Sequence, residues 1–133
     1  MASLHVGFSQ LKRSFNRMRT EALKGNLPHN NLLLFYAAEC SLKAVLIRSK
    51  GVRTTAGLDE LTHNFSSMLR DLKIPPTAVS SPPRFKLRGD SSKSFDASVA
   101  HQAWRYGADV DSLDEAELVR WLLTVCSFAE GRI

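Results

Sequence analysis

His101 and Arg105 stand four residues apart, with Trp104 and Tyr106 beside them. On a helix that spacing puts the imidazole and the guanidinium on one face. An imidazole takes or gives a proton near neutral pH. A guanidinium grips phosphate through paired N–H groups, and an aromatic ring offers a surface on which a base stacks. The set fits phosphate binding, base stacking or proton transfer. It also fits a structural role, with Trp104 and Tyr106 as core or interface aromatics and Arg105 paired with Glu39. Glu39 in turn precedes Lys43 by four residues, the favoured order for a helical ion pair. Their neighbours are apolar on both sides, so any burial would require the two charges to be paired and hydrogen-bonded. His63, directly after Thr62, is a further candidate general base; His5 and His29 lie near helix beginnings and read as exposed.

A second group of candidates is cationic. Arg84, Lys86, Arg88 and Lys93 face a single acid, Asp90, within a Pro/Ser-rich stretch at about 75–94. That stretch reads as irregular, either a mobile surface loop or a basic arm that orders on a polyanion. The net charge of +5 permits nucleic acid or another polyanion as a partner. The acids from Asp109 to Glu117 are explained by a solvated helix start. No Gly-rich phosphate loop, His-Glu-x-x-His or Cys-x-x-Cys is present, and no serine sits in a nucleophile elbow. The pattern implies no metal and no cofactor. Cys40 and Cys126, isolated within apolar helical patterns, read as buried free thiols of a reducing compartment.

The elements that must position these residues are helical. At 133 residues the chain reads as a single domain, 1–133, with an ordinary globular balance of 44% hydrophobic and 23% charged residues. From Ser3 to Lys24, the residues Leu4, Phe8, Leu11, Phe15, Met18 and Ala22 draw one apolar stripe on a helix. The opposite side holds Lys12, Arg13, Arg17, Arg19 and Lys24. Gly25-Asn26 stops this helix and Pro28 suits the first turn of the next. Asn30 to Lys50, apolar nearly all round and closed by Gly51, predicts a central helix surrounded by others. Thr62 is positioned to cap a third helix with Phe65, Met68, Leu69 and Leu72 inward, and Asp96 to cap a short fourth one. Ser112-Leu113-Asp114-Glu115 reads as the capping box of a last helix with Leu118, Trp121, Leu122, Val125 and Phe128 inward. The expectation is an all-α fold, a helical bundle of four to five helices around the central apolar helix. The N-terminus lacks a signal-peptide core. Leu32 to Ala38, the longest apolar run, falls far short of the roughly 20 residues of a membrane span. No membrane contact and a cytoplasmic location are expected.

The order of these features resembles a known family. A central helix reading Tyr36-Ala37-Ala38-Glu39-Cys40-Ser41-Leu42-Lys43-Ala44 is followed by Thr62-His63-Asn64-Phe65, and a Trp104-Arg105-Tyr106 motif precedes the last amphipathic helix. Together they resemble the HEPN (higher eukaryotes and prokaryotes nucleotide-binding) superfamily, in its bacterial stand-alone form, from about Gly25 to the C-terminus. The resemblance implies a helical bundle, commonly a homodimer, of the kind found in toxin–antitoxin and antiphage systems. Many such proteins are metal-independent RNases that use an Arg-x4–6-His motif, and this chain has none. The positions where the arginine would stand hold Ala22, Leu23 and Lys24 before His29, Ala56, Gly57 and Leu58 before His63, and Ser94, Phe95 and Asp96 before His101.

The leading expectation is thus a non-catalytic HEPN-like module that dimerises and binds nucleotide, nucleic acid or a partner protein. Glu39, Lys43, His101, Trp104, Arg105 and Tyr106 would form its ligand site, with Arg84, Lys86, Arg88 and Lys93 contacting nucleic acid. An RNase with a rearranged site would instead use His101 or His63 as base and Arg105 to stabilise the transition state. A purely protein-binding antitoxin, inhibitor or complex subunit is the third class.

Overall fold

The computed structural model describes residues 4–58 and 64–133. Among these, five α-helices run in order: α1 Phe8–Ala22, α2 Pro28–Lys50, α3 Phe65–Asp71, α4 Ala100–Tyr106 and α5 Ser112–Glu130. An antiparallel hairpin, β1 Arg84–Leu87 and β2 Asp90–Asp96, lies between α3 and α4. The fold is therefore mainly helical rather than all-α.

Helix α2 is the centre, and α1, α3, α4 and α5 all contact it. Its first turn uses Pro28, whose missing N–H would have had no partner there. Asn30 closes the turn by accepting from the Leu27 N–H at 3.1 Å. At the other end Gly51 adopts φ +66, a left-handed cap without a Cβ penalty. Leu34, Phe35, Ala37, Ala38, Leu42, Ala44, Val45, Leu46 and Ile47 are all buried. They occupy more than one face, which is why neighbours enclose this helix. The ring of Phe35 meets Phe65 edge-on at 5.0 Å, and Phe65 meets Trp121 at 5.2 Å. Each such buried aromatic contributes about 1.5–3 kcal/mol through area removed from water.

Helix α1 begins at Phe8, later than the apolar stripe suggested, and Leu4 is exposed outside it. The chain before it is held extended against the 54–55 turn, where the Thr55 N–H donates to the Val6 carbonyl at 2.9 Å. Leu11, Phe15 and Ala22 are buried as the stripe requires. Helix α3 is capped by Asn64, whose Oδ1 accepts from Ser66 and Ser67; Thr62 lies outside the described residues. Helix α5 is capped by Asp111 rather than Ser112, which is the first helical residue. Asp111 accepts from the N–H groups of Leu113 and Asp114, and Glu115 turns away to another partner.

The hairpin replaces the irregular arm expected at 75–94. Phe85 is buried, faces Phe95 in the register, and stacks on it at 5.5 Å. Gly89 turns the chain at φ +78. The other edge of β1 is not free: the Arg88 N–H donates to the Asp109 carbonyl and the Asp111 N–H to the Lys86 carbonyl, both at 2.8 Å. The alternation is only four residues long and its outer partner lies some twenty residues away, so no local period announced it. Ahead of the hairpin, buried Val79 and the Trp121 Nε1–H donating to the Ser80 carbonyl at 2.9 Å pin the Pro/Ser segment to α5. No helix among the described residues is long and apolar enough to cross a membrane.

Candidate functional site

The meeting of α2 and α4 brings Tyr36, His101, Arg105 and Tyr106 together. His101 rests on Phe35 with centroids 4.8 Å apart and lies 6.3 Å from Tyr36. One turn later the Arg105 guanidinium donates to the Tyr36 hydroxyl. Its central carbon is 5.8 Å from the Tyr36 ring and 5.9 Å from the Tyr106 ring. Arg105 is exposed, and Tyr106 is 75% exposed. A guanidinium steadied by a phenol and flanked by an open ring can meet a phosphate while the ring receives a flat group.

His101 is half-buried, and its Nδ1 is the buried side-chain atom without a hydrogen-bond partner among the described residues. An orphaned nitrogen of this kind sits where structural histidines ordinarily find a carbonyl or carboxylate. Trp104 turns the other way. It is 4% exposed and its Nε1–H donates to Glu115 Oε2 at 3.0 Å, so its ring belongs to the core.

Arg105 does not pair with Glu39. Glu39 instead meets Lys43 at 3.5 Å along α2, with side chains 20% and 15% exposed. These two charges continue the face begun by Tyr36, one turn further on. His63 lies outside the described residues. Beside the pair, burial and then the Glu39 carboxylate push the Cys40 thiol up to about 11, while burial pushes Cys126 up to about 12. Neither is a nucleophile at neutral pH, and the described residues contain no cluster of metal-ligating side chains.

The cationic candidates fall on the hairpin. Arg84, Lys86 and Arg88 are exposed and alternate with inward Phe85 and Leu87, and Lys93 is exposed on β2. Arg84 is oriented by β2, donating from Nε to Ser94 Oγ at 2.9 Å and from its terminal nitrogen to the Ser94 carbonyl at 2.8 Å. It also lines an open cleft of about 640 Å³ with Arg70, Lys73, Asp96, Ser66 and Ser80. No aromatic side chain among the described residues lines this cleft, so it offers charge and hydroxyls without stacking. Arg70, Lys73 and Tyr36 escaped the sequence reading. Tyr36 had a signal, lying on the Glu39 face of α2; Arg70 and Lys73 had none, because the cleft forms only when the hairpin returns to α3. The chain matches no family model, no curated protein and no solved structure.

Proposed function

We propose that this chain is a non-catalytic HEPN-like helical bundle that dimerises and binds nucleotide or nucleic acid through the α2–α4 face. The observation that carries the reading is the exposed Arg105 guanidinium, held by the Tyr36 hydroxyl and flanked by the open Tyr106 ring. His101 stands one turn before it. The Arg70, Lys73 and Arg84 cleft and the outward cations of β1 offer further positive charge to a phosphate backbone. A cytoplasmic toxin–antitoxin or antiphage setting accompanies the HEPN resemblance. A partner protein is the alternative occupant of the face.

Fluorescence anisotropy with labelled single-stranded RNA, single-stranded DNA and nucleotides at several salt concentrations tests the reading. Binding should weaken as salt rises, with a slope of roughly 0.7 per phosphate contacted, and Arg105→Ala should weaken it at least tenfold. Absence of binding to all three probes at low salt, or binding indifferent to salt, would remove it. Solution mass decides dimerisation, a strict monomer counting against that part. The unpartnered His101 Nδ1 beside Arg105 is the one feature favouring the RNase alternative. Cleavage of RNA by the purified protein, lost in both His101→Ala and Arg105→Ala, would replace the non-catalytic reading.

A further inference from the structure

A different cleft, lined by none of Tyr36, His101, Arg105 and Tyr106, carries an inference independent of the nucleic-acid reading. It opens between the end of α1 and the first turns of α2 and α5, with a volume of about 500 Å³, within the range of small-molecule sites. Its apolar lining includes Ala22, Leu34, Val119 and Leu123, and its polar groups include Asn31, Glu115 and Arg120.

Two adjacent asparagines show what is unusual here. Asn30 and Asn31 are 7% and 6% exposed. Asn30 is fully employed: Oδ1 accepts from the Leu27 N–H at 3.1 Å and Nδ2 donates to the Glu21 carbonyl at 3.2 Å, tying the end of α1 to the start of α2. Gly25 makes room for this, since a Cβ there would come within 2.8 Å of Asn30 Oδ1. The Asn31 carboxamide makes no side-chain hydrogen bond among the described residues and lines the cleft. The residue as a whole is nine-tenths buried, so what its amide group exposes is exposed to the cleft. Its donor and acceptor are both free for a molecule that enters.

Glu115 supplies the second element. The buried Trp104 indole fixes its Oε2 at 3.0 Å, and no described residue donates to its other oxygen. Arg120, exposed and without an ion-pair partner among the described residues, stands on the same lining.

We propose that this cleft binds a small organic molecule presenting a planar amide or lactam edge. Its C=O and N–H pair with the Asn31 carboxamide, a further N–H meets Glu115, and an acidic substituent is held by Arg120. The apolar body lies on Leu34, Val119 and Leu123.

The test uses the full chain and five probes, 5-oxoproline, 2-pyridone and nicotinamide against cyclopentanecarboxylate and benzoate, which lack the amide. Proton–nitrogen NMR follows the side-chain NH2 signals of Asn31. At least one of the amide probes should shift them saturably at millimolar concentration, and the two acids should not. Asn31→Leu should weaken that binding at least tenfold, read from backbone shifts along the cleft. Val119→Phe, which fills the cleft without touching the amide, should also weaken binding and covers the case in which Asn31→Leu fails to fold. Silence from all three amide probes, equal shifts from the two acids, or undiminished binding in folded Asn31→Leu would each overturn the proposal.

Discussion

Replacing Lys73 by glycine should make the protein more stable while weakening its hold on polyanions. Among the described residues, Lys73 is the one side-chain-bearing position with positive φ, at +55. It follows the C-cap Leu72 of α3, with its own N–H donating to the Arg70 carbonyl and the Ile74 N–H to the Leu69 carbonyl, each at 3.0 Å. That is the Schellman closure, in which glycine is the usual occupant of the left-handed position. A Cβ in that conformation costs roughly 1–2 kcal/mol. Glycine gives back roughly 0.5–1 kcal/mol through the greater freedom of its unfolded chain. The balance is a gain of about 0.5–1 kcal/mol, or roughly 2–5 °C in melting temperature. Urea denaturation by circular dichroism reads it as a higher midpoint with an unchanged slope. Lys73→Ala separates backbone from charge, because it keeps the Cβ and discards the ammonium. Its stability should stay at the wild-type level, while both variants lower the salt dependence of RNA binding equally if the Arg70, Lys73 and Arg84 cleft touches phosphate. A loss of stability in Lys73→Gly would refute the conformational argument. Undiminished RNA binding in both variants would refute the role of the cleft.

Three further outcomes are expected. Cys40 and Cys126, raised to about 11 and about 12 chiefly by burial, should resist alkylation in the native protein at pH 8 and label in urea only as the chain unfolds; prompt native labelling would show that either thiol is open. Glu130 bonds Arg19 through both oxygens, at 2.8 and 3.0 Å, and these bonds hold its carboxyl below the usual range. A depressed folded value means the contribution is present above the ordinary carboxylate range and lost as pH falls through it and then through the lower folded value. Glu130→Gln should accordingly flatten the acid limb of stability below about pH 5, and an unchanged limb would count against the clasp between α1 and α5. Glu39→Ala and Lys43→Ala should each destabilise by about 2 kcal/mol, with the double variant losing less than the sum; simple additivity in urea titrations would mean that the two charges do not act together.

How much of this was legible depended on where the partners lie. Helix α2 was readable because its composition, Pro28 and Gly51 are all local, and the observed span starts at Pro28 where Asn30 was expected. The Glu39–Lys43 pair was readable for the same reason, since four residues along a helix decide it. Ser112 and Asp111 are both capable caps, and only the path of the chain arriving from the hairpin gave the role to Asp111. The hairpin itself was missed because Phe85 becomes inward only when Phe95 and the 109–111 segment meet it. The Arg105–Tyr36 contact spans 69 residues, so spacing could place the arginine near α2 without saying whether phenol or carboxylate would receive it.

The polar residues of α2 give the two surfaces a common physical basis. A helix this apolar accepts a polar side chain cheaply only where a partner meets it. Asn30 is used as a cap and a link to α1, Ser41 donates to the Ala38 carbonyl at 2.7 Å, Glu39 and Lys43 meet each other, and Tyr36 receives Arg105. Asn31 alone in this set is left without a hydrogen-bond partner among the described residues, and it lines the cleft beside α5. On α4, His101 Nδ1 is likewise left over, beside Phe35 and Tyr36. The leftover groups fall one to each surface, Asn31 on α2 and His101 on α4, and no hydrogen bond joins them. Substitution at Asn31 should therefore leave RNA binding through Arg105 intact, and Arg105→Ala should leave amide-probe binding intact. Coupled losses would mean that α2 transmits one site to the other, through the Trp104–Glu115 bond that links α4 to the cleft.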